Sequence, residues 1–175
     1  MNQTLVEHLI TQSELLQPVT ERLLRAAGVR RGMHVLDLGC GLGDVSILAA
    51  GLVGPNGLIL GVDHDPAVLE TARHRAWRAD LDQVYFLDSA IDALALKEEG
   101  PFDAVVGRNI LSHVADPVAT VRQAAGLLRP GGVMAFHEPS PEVMQILSDA
   151  GLESAELFGE STTGHPQFGA WARKG

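Results

Sequence analysis

The run Val35-Leu36-Asp37-Leu38-Gly39-Cys40-Gly41-Leu42-Gly43 decides how the rest of the chain is read. Apolar residues ending in an acid, then three glycines at alternate positions, describe a buried strand that breaks into a tight turn. Such a turn needs glycine because side chains would block positive φ angles and keep a ligand away from bare backbone amides. The stretch from Asp44 to Leu52 reads as a helix whose free N-terminal N–H groups open into the same space. The spacing predicts a small, polar, nucleoside-bearing ligand. A dinucleotide fingerprint would place glycine or alanine three residues after the second glycine, and Asp44 stands there instead.

Working outward, Gly54-Pro55-Asn56-Gly57 is a turn signal, and the strand Leu58 to Val62 after it ends at Asp63. An acid about 20 residues beyond the glycine turn is where a nucleotide-binding βαβ unit places a carboxylate for ribose hydroxyls. Asp65-Pro66 opens the next helix, Asp65 as cap and Pro66 at the first helical position. A third strand is expected at Val84 to Leu87 and a fourth at Phe102 to Gly107. A helix follows from Pro117 to Leu128, with a turn at Arg129-Pro130-Gly131-Gly132. The fifth strand, Val133 to His137, delivers Glu138 at its end. A short helix from Glu142 to Ala150 and two strands, Glu153 to Phe158 and Phe168 to Ala172, complete the chain. Ahead of the glycine turn, helical spacing predicts two helices divided near Pro18, with Leu15, Leu16, Val19, Leu23, Leu24 and Ala27 on one stripe. Residues 1–28 are read as N-terminal helices covering the site and residues 29–175 as one domain.

The acid-and-glycine run resembles motif I of class I S-adenosylmethionine-dependent methyltransferases, and the likeness extends from about Val29 to Arg173. It implies an α/β, Rossmann-like fold: a mostly parallel seven-stranded sheet with a C-terminal antiparallel hairpin and helices on both faces. It also implies S-adenosyl-L-methionine as cofactor and methyl transfer to a small organic acceptor. In that family Gly39, Cys40, Gly41 and Gly43 would lie against the methionine part, oriented by Asp37. Asp63 would hold the ribose and His64 would lie against the adenine. Asp88 or Ser89, with Ala90, would also contact the adenine, the register being open. The run Leu111-Ser112-His113-Val114 to Asp116-Pro117 is similar to one carried by many small-molecule methyltransferases.

Several side chains have chemistry to offer in such a crevice. Arg108 can pair with a carboxylate of cofactor or substrate. Ligands of open α/β sheets bind at the carboxyl ends of strands, so His137 and Glu138 are expected to face the same crevice as Asp37, Asp63 and Arg108. His113, His137 or Glu138 would take a proton where the acceptor must lose one, although His113 also reads as a loop anchor. An activated sulfonium methyl demands mainly alignment in a dry site, so no particular catalytic residue is required. Two rival readings keep the cofactor: metal-assisted or non-methylating chemistry using His113, His137, Glu138 and His165, and a non-catalytic methyltransferase-like subunit. No HxH or HExxH spacing supports a metal.

Composition narrows the partners. The 175 residues are 46% hydrophobic and 20% charged, with a formal net charge of −9. That charge argues against a broad grip on nucleic acid or an anionic membrane. Arg73, Arg75 and Arg78 read as the solvated face of a helix. There is no uninterrupted membrane-length apolar stretch and no signal segment, so a cytoplasmic protein is expected. The single cysteine, Cys40, reads as a small packing residue within the turn. A homodimer is left open by the sequence.

Overall fold

The structure is a computed structural model that describes the backbone of residues 3–91, 100–162 and 165–175. Side chains are described at residues 11, 13–91, 100–153 and 166–175. The helices are α1 (Gln3–Ala26), α2 (Asp44–Val53), α3 (Pro66–Arg78), α4 (Pro117–Ala125) and α5 (Val143–Asp149). The strands are β1 (His34–Leu38), β2 (Leu58–Asp63), β3 (Val84–Asp88), β4 (Phe102–Arg108), β5 (Leu128–Glu138), β6 (Glu153–Thr162) and β7 (His165–Arg173).

The strands form one seven-stranded sheet in the order β3-β2-β1-β4-β5-β7-β6. The first five are parallel, and β7 pairs antiparallel with both β5 and β6. This is the sheet that the resemblance implied. The order reverses between β1 and β4, the point where open α/β sheets bind ligands at the carboxyl ends of their strands.

Alternation along the strands sorts the core into two layers. Val35, Ile59, Ala104, Val106, Val133 and Ala135 pack with Leu23, Leu24 and Ala27 of α1 and with Val45, Ala49 and Ala50 of α2. Leu36, Leu38, Val62, Val105, Met134 and Phe136 pack on the opposite side with Val121 and Ala124 of α4 and Val143 and Leu147 of α5. Full burial of Leu23 and Leu24 contributes about 1.5–3 kcal/mol for each. Packing of this kind, rather than helix propensity, therefore fixes α1 against the sheet.

The structure differs from the sequence reading in α1, in β5 and in the two terminal strands, and α4 ends at Ala125 rather than at Leu128. A single helix, α1, replaces the two expected, with Pro18 inside it. Pro18 is exposed, so the Glu14 carbonyl that loses its bonding partner faces water and helical periodicity carries on past the ring. Strand β5 begins at Leu128 rather than after the glycine pair. Pairing passes from Phe102↔Leu128 to Ala104↔Val133 through an irregularity that absorbs the Arg129-Pro130-Gly131-Gly132 segment. The terminal strands are also longer than expected, and residues 163–164 between them lie outside the described residues. No helix among the described residues is long and apolar enough to cross a membrane.

Candidate active site

Parity along the strands decides which side chains meet. Asp37, Asp63, Arg108 and His137 share the alternation of Val35, Ile59, Val106 and Ala135, so they emerge on the side covered by α1 and α2. Glu138, one residue further, emerges on the side of α4 and α5. The expectation that His137 and Glu138 face one crevice is corrected by this alternation.

At the centre lies the glycine turn. The Cys40 amide donates to the Val62 carbonyl at 3.0 Å and the Gly43 amide to the Cys40 carbonyl at 2.9 Å. Asp63 reaches across from β2, where its Oδ2 accepts from the Gly41 amide at 2.9 Å and its Oδ1 accepts from the Asp65 amide at 3.1 Å. Acid and turn are therefore joined directly. Gly39 and Gly41 both take left-handed φ angles, +63° and +51°, for different purposes. A Cβ at Gly39 would run into the Ile110 side chain, whereas one at Gly41 would meet no protein atom within 4 Å. Gly41 keeps space open and Gly39 lets the loop after β4 close down.

Asp37 is 1% exposed, and Ser46 of α2 donates to its Oδ2 at 2.6 Å. Burial raises its carboxyl from 3.8 to about 7, against the lowering effects of Ser46 and Arg108. Burial also pushes the Cys40 thiol far above its ordinary value, so this cysteine is a packing residue and a poor nucleophile.

Arg108 completes this end of the cleft. Its guanidinium donates to Ser13 Oγ at 2.5 Å and to Thr20 Oγ1 at 3.4 Å, both on α1, and lies 3.8 Å from Asp44. A cavity of about 210 Å³ is lined by Ser13 and Leu16 of α1, Gly39 to Leu42, Asp44, Arg108 and Asn109. Asn109 holds φ +53°, and its buried Oδ1 has no protein partner. A strained non-glycine residue with an unsatisfied polar atom beside a cavity fits a site built to receive a polar ligand.

A second crevice, about 600 Å³, opens where the ends of β2 and β3 meet the loop after β4. His64, Ala90, Ile91, Ile110, His113 and Asp116 are among its lining residues. Asp88 is exposed at the end of β3, level with Asp63, and the Ser89 amide donates to the Asp63 carbonyl at 3.0 Å.

The three proton-transfer candidates occupy different settings. His113 is exposed on the rim of the second crevice. Glu138 is 3% exposed, and its Oε1 accepts from the Ile110 and Leu111 amides at 2.9 and 3.1 Å, which ties down the loop after β4. Burial raises its carboxyl while those two amides oppose the rise. His137 has no exposed surface, and its Nδ1 lies 2.8 Å from Thr20 Oγ1. Among the described residues no three of His, Cys, Asp and Glu gather as a metal set, and the His165 side chain lies outside them.

The sequence reading missed Ser13, Thr20, Ser46, Asp44 and Asn109. Ser13 and Thr20 carried a signal, since they interrupt the apolar stripe of α1 about one turn before and one turn after Leu16. It also misplaced Arg75, which is not a solvated residue: it donates to the Leu42 carbonyl at 2.6 Å and to Asp44 at 2.7 Å, bracing the glycine turn from α3.

Burial makes two pH effects of opposite sign. The His137 ring is pushed from 6.5 down to about 4 by burial and by Arg108. Its contribution to stability is therefore complete above about 6.5 and is lost as pH falls toward 4. Asp37 works the other way, favouring the fold below 3.8 and losing that contribution as pH rises through about 7. The His137→Gln variant should lose less melting temperature than the unaltered chain between pH 6.5 and 4. Equal losses in the two proteins would rule out His137 as the source.

Comparison with known proteins agrees with this geometry. A family profile described as "Methyltransferase domain" matches residues 30–166. The chain is 33% identical over 145 residues to 27-O-demethylrifamycin SV methyltransferase of Amycolatopsis mediterranei, covering 82% of this chain and 51% of that protein. It is 35% identical over 105 residues to ubiquinone biosynthesis O-methyltransferase of Albidiferax ferrireducens, covering 60% of this chain and 40% of that one. The chain thus spans about half or less of the length of these two relatives. Among solved structures, a SAM-dependent methyltransferase from Aquifex aeolicus superposes with a TM-score of 0.75 at 21% identity, covering 88% of each chain. The [4+2]-cyclase SpnF gives 0.77 at 17% identity, covering 90% of this chain and 80% of that one. A glycine turn tied to the acid of β2, a matching sheet order and a profile covering most of the sequence lead to one conclusion: the chain belongs to the class I S-adenosylmethionine-dependent methyltransferases, whose cofactor is S-adenosylmethionine.

Proposed function

We propose that this chain binds S-adenosylmethionine in the cleft between the glycine turn and α1 and directs its methyl group to a small organic acceptor. The observation that carries this is the Asp63 carboxylate bonded to the Gly41 amide beside space that a Cβ at Gly41 would enter. The residues present suit the cofactor's parts. Gly39, Cys40, Gly41, Gly43 and Asp37 would hold the methionine portion, with Arg108 available to its carboxylate. Asp63 would accept from the ribose hydroxyls. His64, Asp88, Ser89 and Ala90 stand at the second crevice or beside it, where the adenine would lie.

When bound, S-adenosylmethionine supplies a methyl group already activated on a sulfonium. The protein's own work is then to orient acceptor and methyl and to exclude water. Leu16 and Val45 make the first cavity partly apolar, and α1 covers it. Of the three candidate proton acceptors, His113 has the exposed ring, on the rim of the second crevice, Glu138 is engaged by backbone amides, and His137 is enclosed. His113 is therefore assigned the proton of an acceptor that must lose one, and Glu138 the task of positioning the loop that carries His113. Relatives named for rifamycin and ubiquinone biosynthesis support hydroxyl-bearing acceptors as the first to test.

Titration calorimetry with S-adenosylmethionine and its demethylated product should show both binding. Binding of neither at high micromolar concentration would overturn the assignment. A product assay over phenol, amine, thiol and carbon acceptors then separates methyl transfer from non-methylating use of the same cleft.

A further inference from the structure

The mechanism above leaves one buried group unused. His137 is fully enclosed, sits on β5 beside Arg108 on β4, and pairs on its other side with Gly169 of β7. Its Nδ1 lies 2.8 Å from Thr20 Oγ1, and the same oxygen lies 3.4 Å from Arg108 Nη1 and 3.1 Å from the Leu16 carbonyl. Proton counting limits the direction of these bonds. The threonine hydroxyl has one hydrogen and two lone pairs; the Leu16 carbonyl only accepts and Arg108 only donates. With the hydroxyl proton on Leu16, the two lone pairs take one bond from Arg108 and one from His137 Nδ1–H.

The ring's other nitrogen, Nε2, then carries a lone pair. It is buried without a partner, as is Oε1 of Gln167, whose amide interacts with this ring. Two residues along β7 from Gly169, Gln167 emerges on the same side of the sheet as His137. With its amide turned end for end, Gln167 donates to Nε2 and gives that nitrogen a partner. The result is one buried chain: Gln167 of β7, His137 of β5, Thr20 of α1, Arg108 of β4.

We propose that Thr20 and His137 are positioning residues for Arg108, fixing its guanidinium at the methionine end of the cleft and coupling the C-terminal hairpin to cofactor affinity. The proposal rests on the reading of that cleft as the S-adenosylmethionine site. Ser13 holds the other arm of the guanidinium, so two α1 hydroxyls aim a charged group that would otherwise have several rotamers open to it. Affinity gained by holding Arg108 ready depends on both ends of the chain staying paired.

A coupling cycle on the full-length protein tests this, read by calorimetry with S-adenosylmethionine. Thr20→Val removes the bridging hydroxyl and should raise Kd about tenfold, while Thr20→Ser keeps it and should stay within about twofold of the unaltered chain. In an Arg108→Met background, Thr20→Val should add less than about twofold, because the group it positions is gone. If Thr20→Val does not fold, Gln167→Leu enters the same cycle from the far end, with about threefold weakening expected that also disappears without Arg108. A Thr20→Val protein of unaltered affinity, or one weakened equally with and without Arg108, would overturn the positioning role alone. Failure of the unaltered chain to bind would remove the cleft reading and this proposal with it.

Discussion

Gly41→Ala should abolish S-adenosylmethionine binding, weakening it by at least about a hundredfold, while leaving the protein folded. The position has φ +51°, so alanine there costs about 1–2 kcal/mol of backbone strain, a fall of a few degrees in melting temperature. Nothing in the protein opposes the new methyl, since no atom lies within 4 Å of an ideal Cβ. The methyl would occupy the space in which the proposed ligand approaches the Gly41 amide, so the loss falls on binding. The same change at Gly39 has the opposite character, because a Cβ there would lie 2.7 Å from Ile110 Cγ1 as well as taking φ +63°. Thermal melts and calorimetry on the Gly41 variant decide the matter together. Cofactor binding by Gly41→Ala within about threefold of the unaltered chain would mean that the open space is not the ligand's.

A comparable loss is expected from Asp63→Ala, about thirty- to a hundredfold in affinity. The carboxylate accepts from the Gly41 and Asp65 amides and retains 13% side-chain exposure, enough to present lone pairs to the cleft. A charge-assisted bond to each ribose hydroxyl would contribute about 1.5–3 kcal/mol, partly offset by the water displaced. Alanine also releases the Gly41 amide, so part of the loss arises from a loosened turn. Asp63→Asn separates the two contributions. It keeps one oxygen able to accept from Gly41 and should restore most of the melting temperature but little of the affinity. Calorimetry showing Asp63→Ala binding as tightly as the unaltered chain would exclude a ribose contact.

Much of this was legible in the sequence because the signals were local. The run from Val35 to Gly43 specified a strand and a turn, and Asp65-Pro66 and Asp116-Pro117 specified helix starts. Both caps are formed, Asp65 Oδ1 accepting from Ala67 at 2.8 Å and Asp116 Oδ1 from Ala119 at 2.9 Å. The pairing of Asp63 with the glycine turn followed from spacing alone. Errors arose where a residue's meaning depends on what lies across from it. Pro18 looked like a boundary, but its exposed side of α1 tolerates a lost hydrogen bond. Arg75 looked solvated, but the Leu42 carbonyl and Asp44 lie within its reach. Neighbouring strand positions do carry parity, so the separation of His137 from Glu138 could have been read from the sequence. The partners Thr20 and Gln167, 117 and 30 positions away from His137, could not.

That parity gives the irregular start of β5 a significance beyond packing. Between Phe102↔Leu128 and Ala104↔Val133, β4 advances two positions while β5 advances five, so the detour through Pro130 and the glycine pair sets the phase of everything downstream. If one residue were lost from the detour and β5 re-paired in a shifted frame, Pro139 would stand where a carboxylate now holds the Ile110 and Leu111 amides, and the imidazole would turn to the side of α4 and α5. The carboxylate would be carried beneath α1 in its place. Four unassuming loop residues thereby act as the gauge that assigns acid and base to opposite sides of one layer.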